Sequence, residues 1–345
     1  MKLTGIINKK LPFVVYKKPL SGKLNIIQQK TKQLYTDQHF STKGFYFTPF
    51  DLSQHPTVVF PSNKTEHQSF FIRDFNEENT YSNDITIVSL KNEPELYQKK
   101  IQKAIKHIHN GNLQKIIISR KQLVQFKEFH VFSALLDLMT NYDNSFVYLW
   151  FHPLVGMWMG ATPELLGKYQ QGVFKTVALA GTLPVKNNEP IIWQTKEIQE
   201  QKFVENYIKN ILQKYTSEVE LLPPKTFIQK KVAHIQTQIK AYIKKDDVKP
   251  LILKLHPTPA VCGTPLNKAI KIIPEIEAYD RKYYTGFLGE FFQEKIELYV
   301  NLRCMEMFKS HFYIYTGGGI IASSNSEKEW NETQLKAEIL LSIFK

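Results

Sequence analysis

Four apolar stretches follow one another in the middle of the chain with only short connections between them. They cover residues 146–151, 155–159, 165–169 and 173–179. Short apolar stretches that are separated by turns rather than by helices are typical of consecutive antiparallel strands. This run therefore constrains the chain to a fold that contains antiparallel sheet.

The rest of the chain mixes helices and strands without a regular alternation. Residues 11–90 alternate apolar stretches with Pro, Ser and Asn, which predicts strands joined by loops. The apolar spacing predicts helices over 94–110, 189–214, 248–253, 265–279 and 326–344, and further strands over 115–119, 286–292, 297–303 and 312–316. Runs of strands punctuated by helices indicate an α+β protein built on antiparallel sheets.

Apolar residues are numerous but never form a long continuous run. They make up 43% of the 345 residues, and no repeat or linker divides the sequence, so we expect one compact unit with a large core. The longest run, 146–161, is broken by a histidine, a proline and a glycine, and a membrane span needs about 20 apolar residues. Lys9 and Lys10 interrupt the N-terminal apolar region, so we expect no membrane span, no secretory signal and a cytoplasmic location.

The two cysteines, Cys262 and Cys304, are too few for a disulfide framework or a cysteine-rich metal site. Both have apolar neighbours, which is typical of buried free thiols. A reducing compartment fits this pattern.

The net charge of +13 raises the question of a nucleic-acid partner. Residues 1–60 contribute +7 of it through nine Lys, no Arg, two Asp and no Glu, and the lysines are scattered among apolar residues. The sequence contains no basic helix and no Arg-rich tract, and we find no Arg beside an aromatic stacking platform of the kind that nucleic-acid modules use. We therefore expect a solvated lysine-rich surface that can steer a small anionic substrate, and no nucleic-acid partner.

The last predicted helix carries the first candidate site. Glu329, Glu332 and Lys336 are three and four residues apart, which places them on one helix face, and three consecutive glycines at 317–319 precede the helix. Two carboxylates and a lysine beside a loop that a ligand can approach closely could hold a Mg²⁺-bound carboxylate substrate. By spacing alone a surface helix is the better interpretation, because Ser326 and Glu329 also form a capping-box pattern.

A second acidic helix presents Glu197, Glu200 and Val204 along one side. Glu200 is a candidate metal ligand, since Mg²⁺ commonly uses one or two protein carboxylates and keeps several waters. In isolation, solvated helix glutamates explain the pattern better.

Three further residues could carry chemistry. Glu164 lies between apolar neighbours, where burial would raise its pKa into the range of a general acid, although a helix or turn cap is equally compatible. His256 precedes two prolines that hold the chain extended, so it either faces a cleft or is a buried structural histidine. Lys115 begins a strand and is either a surface residue or a base that faces a cleft.

Seven motifs occur in a fixed order along the second part of the chain. They are QKIIISR (114–120), GATPELL (160–166), ALAGTLP (178–184), LHPTPAVCGTP (255–265), YDRKYYTGFLGE (279–290), NLRCMEM (301–307) and TGGGIIASSNSEKEWNETQLK (316–336). With these motifs the chain resembles the chorismate-utilising enzymes and, within that family, the isochorismate synthases. The resemblance runs from about residue 93 to residue 342.

This resemblance implies two large antiparallel sheets in a pseudo-twofold arrangement, with helices packed outside and one active site in a central cleft. Residues 93–345 would form the chorismate-binding catalytic region, and residues 1–92 a divergent N-terminal half of the same fold. Together they would make one compact unit, which we expect to be a monomer.

The resemblance also implies chemical roles. Lys115 resembles the general base that activates water for attack at C2 of chorismate, and Glu164 resembles the general acid that protonates the departing C4 hydroxyl. Mg²⁺ is the implied cofactor and grips the ring carboxylate. Glu200 and Glu332 resemble its ligands, with Glu329 acting through water. No redox cofactor is implied.

Further positions of the resemblance contact the substrate or line its cleft. Those that receive the substrate carboxylates are Arg303, Gly317 and Lys336, and those that line the cleft are Gly181, Thr182 and His256. The acidic helix departs from the family pattern Asp-x-x-Glu-His, because this chain has Glu197 and the pair Glu200 and Gln201. The Glu200 assignment survives this departure, while the geometry around it is less defined.

Two positions select the subfamily. Relatives that form aminodeoxychorismate carry a lysine at Ala180, and the ammonia-using anthranilate synthases lack the lysine found here as Lys115. Both ammonia routes are therefore disfavoured. Salicylate synthases, which make isochorismate and then eliminate pyruvate, remain the closest rival, and residues 256–265 favour the plain synthase. By family analogy menaquinone synthesis is the preferred use of the product, with siderophore synthesis as the alternative.

Overall fold

The structure is a computed structural model that describes residues 5–6, 9–75, 83–88, 92–185, 190–229, 232–292 and 294–341. The helices in these ranges are α1 (Glu93–His109), α2 (Val131–Asn141), α3 (Thr195–Leu212), α4 (Lys245–Leu255), α5 (Leu266–Glu277) and α6 (Ser326–Leu341). The strands are β1 (Phe13–Lys17), β2 (Lys23–Gln29), β3 (Gly44–Thr48), β4 (Val58–Pro61), β5 (Thr65–Phe71), β6 (Asp84–Val88), β7 (Lys115–Glu128), β8 (Phe146–His152), β9 (Gly156–Thr162), β10 (Leu165–Gln170), β11 (Val173–Pro184), β12 (Val219–Leu221), β13 (Lys225–Gln229), β14 (Val232–Tyr242), β15 (Gly263–Thr264), β16 (Phe287–Phe292), β17 (Lys295–Val300), β18 (Cys304–Met307) and β19 (His311–Ile320).

These strands form two antiparallel sheets. The first has ten strands in the order β15-β7-β19-β18-β9-β8-β1-β2-β5, with β6 also paired to β7. The second has nine strands in the order β12-β14-β11-β10-β17-β16-β3-β4, with β13 also paired to β14. The predicted α+β fold with two large antiparallel sheets is confirmed.

The run of four central strands is divided between the two sheets. β8 pairs with β9 in the first sheet, and β10 pairs with β11 in the second. Only Pro163 and Glu164 connect β9 to β10, so the chain crosses from one sheet to the other at this dipeptide. A prediction from local spacing treats the four strands alike, and it does not reveal this crossing.

The N-terminal segment contributes strands to both sheets. β1 pairs with β8 in the first sheet, whereas β3 pairs with β16 in the second. Two of its lysines are not solvated as expected. Lys17 is only 2% exposed and pairs with Asp143, while Lys18 contacts Glu290 and Glu297. For these two residues the interpretation as a solvated surface is wrong.

An aromatic core fills the space between the sheets. Phe47 of the second sheet packs against Trp150 of the first, with ring centroids 4.6 Å apart, and stacks on Tyr283 at 4.4 Å. Aromatic side chains of this kind each bury about 150–250 Å² and dominate the energetics of a core. Cys304 lies in the same core, and both cysteines are buried and unpaired.

The helices pack on the outer faces of the sheets. α3 packs against β11 and β14 of the second sheet, while α6 packs against β19 of the first. The two acidic helices are therefore carried by different sheets. No helix in the described ranges has the length and apolar character that a membrane crossing needs.

Several predicted boundaries are wrong for identifiable reasons. The helix predicted from residue 189 starts at Thr195, where Gln194 and Glu197 form a capping box; residue 189 itself lies outside the described residues. The strand predicted over 297–303 runs from Lys295 to Val300, and Arg303 then adopts a left-handed conformation with φ of 48° before β18 begins. The strand predicted over 115–119 continues to Glu128. Residues 342–344 of the last predicted helix lie outside the described residues.

The capping-box interpretation of the last helix is also wrong. The backbone N–H groups of Glu327 and Lys328 donate to Oδ1 of Asn325, which makes Asn325 the capping residue rather than Ser326. Glu329 is thereby free to turn inward, and only 1% of its side chain is exposed.

Candidate active site

A cavity of about 740 Å³, which includes its open mouth, lies where α3 and α6 approach the sheets. Seven of the residues singled out in the sequence line it: Glu164, Gly181, Thr182, Glu200, Arg303, Gly317 and Lys336. The structure thus gathers residues from both sheets and both acidic helices around one space.

Glu164 occupies the crossing between the two sheets. Its side chain is buried, and burial raises its pKa to about 8 although the positive charges of Lys115, Arg303 and Lys336 act in the opposite direction. The carboxyl group therefore carries its proton at neutral pH. A buried acid that faces a cavity in its protonated form can donate that proton to a leaving group.

Lys115 is the first residue of β7 and is fully buried. Its Nζ atom lies 3.1 Å from Oε1 of Glu200 as an ion pair, yet in a direction that makes no hydrogen bond. Lys115 is not itself one of the lining residues. Its amine contacts Glu200, which does line the cavity. The absence of a side chain at Gly319 permits this arrangement, because a Cβ atom there would lie 2.1 Å from Oε1 of Glu200 and 3.0 Å from Cε of Lys115.

The carboxylates of α3 and α6 have different electrostatic environments. Burial alone would raise the pKa of Glu200, but the charges of Lys115 and Lys336 outweigh it and hold that pKa below its usual value. For Glu329, burial and the neighbouring charge of Glu332 raise the pKa to about 7. Oε1 of Glu329 accepts from Nζ of Lys196 at 2.7 Å, whereas its buried Oε2 has no hydrogen-bond partner.

The glycine stretch before α6 lies against these carboxylates. A Cβ atom on Gly318 would lie 3.0 Å from Oε2 of Glu329 and 3.6 Å from Oε1 of Glu332. In the described part of the chain, no three or more His, Cys, Asp or Glu side chains are arranged as a ready set of metal ligands. The pair at Gly318 still fits Mg²⁺, because this ion uses one or two carboxylates with water and the unpartnered Oε2 offers it a buried anionic oxygen.

Arg303 provides the cationic side of the cavity. Its Nη2 donates to Nε2 of His234 at 2.9 Å, and Nδ1 of His234 donates to the carbonyl oxygen of Gly181 at 3.0 Å. Burial, with the charges of Arg303 and Lys336, holds the pKa of His234 well below its usual value, so the ring is neutral. Nη1 of Arg303 is buried without a partner, and an unpaired guanidinium N–H is suited to a carboxylate. Burial also lowers the pKa of Arg303 to about 10.

The side chain of Lys336 extends from α6 to β19. Its Nζ donates to the carbonyl oxygen of Gly317 at 2.9 Å and to Oε1 of Glu332 at 2.7 Å. Lys336 is therefore more than an i,i+4 partner of Glu332, because it also ties α6 to β19.

His256 is not placed in the cavity wall. Its Nε2 donates to the carbonyl oxygen of Pro49 at 2.9 Å, and burial lowers its pKa to about 4. This is the buried structural histidine that the sequence left open as the alternative. The same loop still reaches the cavity through Ala260 and Val261.

Two residues of the site were missed in the sequence. His234 stands opposite Thr182 across β11 and β14, a register that depends on tertiary pairing and leaves no local signal. Lys196 lies four residues before Glu200 on α3, so its helical spacing could have revealed it as a neighbour of the acidic face.

Comparison with known proteins supports a common origin for this arrangement. A family model described as chorismate binding enzyme matches residues 50–345, so the similarity begins upstream of residue 93. Isochorismate synthase MenF of Haemophilus influenzae is 29% identical over 259 residues, which cover 71% of this chain and 59% of that protein. The match thus spans little more than half of that relative's length.

Two solved structures share the fold. DhbC of Bacillus anthracis, titled a 2,3-dihydroxybenzoate-specific isochorismate synthase, has a TM-score of 0.82 and 22% identity, with 97% of this chain and 96% of that chain covered. MenF of Escherichia coli, titled a menaquinone-specific isochorismate synthase, has a TM-score of 0.82 and 21% identity, with 97% and 89% covered. With most of its residues matched by the family model, the chain belongs to the chorismate-binding enzyme family.

Proposed function

We propose that the protein is an isochorismate synthase, which converts chorismate reversibly to isochorismate with Mg²⁺. Water would add at C2 of the ring while the C4 hydroxyl leaves. The observation that carries this proposal is the buried carboxyl group of Glu164, whose pKa of about 8 keeps it protonated at neutral pH. It faces the cavity beside the ion pair of Lys115 and Glu200.

Glu164 would act as the general acid. A hydroxyl group leaves a ring slowly as hydroxide and much faster as water, so a positioned proton donor accelerates the step. Lys115 would act as the general base that takes a proton from the attacking water.

The base role requires the amine of Lys115 to leave its ion pair with Glu200, 3.1 Å away, and to face the attacking water. Glu200 is therefore best balanced by other cations during turnover. Lys336 and Lys196 both lie close enough to Glu200 to lower its pKa, and so they can supply that balance.

Chorismate is a dianion, and the cavity carries matching groups. Nη1 of Arg303 and the ammonium of Lys336 would bind its carboxylates, while the buried and unpartnered Oγ1 of Thr316 could bond a carboxylate or a hydroxyl. Glu200, Glu329 and Glu332 would hold Mg²⁺, which when bound supplies counter-charge to the ring carboxylate.

We also propose that the enzyme is cytoplasmic and monomeric and that its product serves menaquinone synthesis. The buried, unpaired cysteines support a reducing compartment. The similarity to the menaquinone-specific isochorismate synthase MenF of Escherichia coli supports the menaquinone route, and the likeness to DhbC makes siderophore synthesis the alternative to test.

The proposal is tested by incubating the purified protein with chorismate and Mg²⁺ and separating the products. We expect isochorismate to accumulate to an equilibrium mixture, and the same mixture to form from isochorismate. Salicylate with stoichiometric pyruvate would select the salicylate synthase instead. Unchanged chorismate under conditions where the protein is folded would refute the proposal.

A further inference from the structure

Three lysine–glutamate pairs surround the carboxylate cluster. Lys115 pairs with Glu200 at 3.1 Å, Lys336 with Glu332 at 2.7 Å, and Lys196 with Glu329 at 2.7 Å. Each glutamate proposed to hold Mg²⁺ therefore already has a resident cation. In the proposed reaction Lys115 is the base and Lys336 binds substrate, whereas Lys196 contributes only part of the positive charge near Glu200.

The position of Lys196 is unusual for a helix lysine. It is the second residue of α3, which packs on the second sheet, yet it contacts Glu329 of α6, which packs on the first. Its side chain is 28% exposed, whereas that of Glu329 is 1% exposed. A solvent-facing cation thus reaches inward to neutralise a buried carboxylate and links the two acidic helices.

The pair leaves one oxygen of Glu329 unsatisfied. Lys196 occupies Oε1, and the buried Oε2 faces Gly318, where Oε1 of Glu332 also lies nearby. A divalent cation at Oε2 would share Glu329 with the ammonium of Lys196. Because two positive centres on one carboxylate repel each other across a poorly screened distance, the lysine must weaken the hold on the metal.

We propose that Lys196 is an internal counter-ion of Glu329 that limits the affinity of the chorismate-free site for Mg²⁺. The inference rests on the proposed function, in that these carboxylates are taken as the Mg²⁺ site. Lys196 is a positioning residue, since it acts through Glu329 and lies outside the cavity wall. Without metal, the ammonium of Lys196 offsets the negative charge of the carboxylate cluster. When Mg²⁺ binds, the same charge lowers the affinity for the ion.

The test measures Mg²⁺ binding by isothermal titration calorimetry with no chorismate present. It is run at pH 9, which favours ionised Glu329 also in the variants that lack the charge of Lys196, because that charge lowers the pKa of Glu329. Lys196→Gln retains a hydrogen-bond donor to Glu329 but removes the charge, and Lys196→Met removes both. We expect both variants to bind Mg²⁺ at least about tenfold more tightly than the wild type, because one repelling charge has been removed. Lys196→Arg, which keeps the charge, should bind like the wild type.

Lys202→Met is the matched control. Lys202 lies on the same helix and pairs with Glu205 at 2.5 Å, but its side chain is 53% exposed and its partner is not one of the three carboxylates. This variant should leave Mg²⁺ binding unchanged. Unchanged Mg²⁺ binding in both Lys196→Gln and Lys196→Met would overturn the proposal. Weaker binding in both variants would also overturn it, by showing that Lys196 orients Glu329 for the metal.

This readout is independent of turnover. A protein that binds Mg²⁺ as expected but leaves chorismate unchanged would refute the proposed function and not the counter-ion role. Conversely, if neither the wild type nor the Lys196 variants bind Mg²⁺, the counter-ion proposal fails, whereas the chorismate assay still decides the function.

Discussion

Two buried charged clusters touch the same strand, β7, and differ in how completely their polar atoms are paired. In the first, Glu277 and Arg281 form an ion pair at 2.6 Å with at most 1% exposure. Arg281 also donates to the carbonyl oxygens of Ile117 and Val261, and Glu277 accepts from the backbone N–H of Ser119. No side-chain atom of Glu277 or Arg281 is left without a partner.

The second cluster is the cavity cluster of Lys115, Glu164, Glu200, Arg303 and Glu329. Lys115, Glu164 and Glu329 are comparably buried, whereas Glu200 and Arg303 are partly exposed. In this cluster Nζ of Lys115, Nη1 of Arg303 and Oε2 of Glu329 have no hydrogen-bond partner. Buried polar groups in proteins are nearly always paired, so orphaned atoms need an explanation. The comparison teaches that burial and charge occur in both clusters, whereas unpartnered atoms beside a cavity occur in the second, which is the cluster proposed to bind a ligand.

The largest effect is expected from Lys115→Ala. Loss of the general base should lower kcat by about 10⁴-fold, while chorismate binding stays largely intact, because a base acts on the transition state more than on the ground state. Steady-state kinetics and a chorismate titration give the two quantities. A kcat close to that of the wild type would remove Lys115 from the mechanism.

The next effect separates the clusters by stability. Arg281→Met should lower the free energy of unfolding by about 3–5 kcal/mol, because it leaves Glu277 buried and unpaired. Arg303→Met, at the arginine of the second cluster, should cost at most about 1 kcal/mol while it abolishes turnover, since Arg303 has an unpartnered N–H and no carboxylate bonded to it in the described chain. Urea unfolding of both variants makes the comparison, and equal losses of stability would break it.

Glu164→Gln should lower kcat by about 10²–10³-fold. In the wild type the rate should fall as pH rises through about 8, where Glu164 loses its proton. Between the ordinary carboxyl pKa of 4.5 and about 8 the folded protein holds this proton while the unfolded chain releases it, so the free energy of unfolding falls as pH rises through that window. The Gln variant should lose this contribution to the slope. A pH profile of the rate tests the first expectation, and urea unfolding at pH 6 and pH 9 tests the second. The assignment would be contradicted if the free energy of unfolding changed equally with pH in the wild type and in the Gln variant.

The smallest of these effects concerns the metal. Glu332→Ala should raise the Mg²⁺ concentration needed for half-maximal rate by about 10–100-fold, as is usual when the surroundings of a metal site are damaged. Glu327→Ala, an exposed position in the first turn of the same helix, serves as the control and should leave the requirement unchanged. An unchanged requirement in both variants would mean that Glu332 holds no metal.

Much of the fold was predictable because it depends on local spacing. The four central strands, and the common face of α6 that carries Glu329, Glu332 and Lys336, follow from residues two, three and four positions apart. The motif order then predicted that Glu164, Glu200, Arg303 and Lys336 share one site, and the structure brings them to one cavity. Spacing alone favoured a surface helix for α6, because it could not show that Asn325 rather than Ser326 caps it.

What could not be predicted depends on tertiary pairing. Three features join parts of the chain that local patterns treat separately. They are the crossing between the sheets at Glu164, the register that places His234 opposite Thr182, and the hydrogen bond from His256 to Pro49. The contact of Lys196 with Glu329 requires two helices on different sheets to meet. Such contacts carry no periodic signal.

The central claim, water attack by a base on one part of the ring and proton donation to a leaving hydroxyl on another, is tested most directly with isotopic water. The protein is incubated with chorismate and Mg²⁺ in H₂¹⁸O, and the isochorismate formed at early times is analysed by mass spectrometry. The account predicts one ¹⁸O atom in the ring hydroxyl at C2. Isochorismate without the label would mean that the original hydroxyl migrates, and would contradict the roles of Lys115 and Glu164.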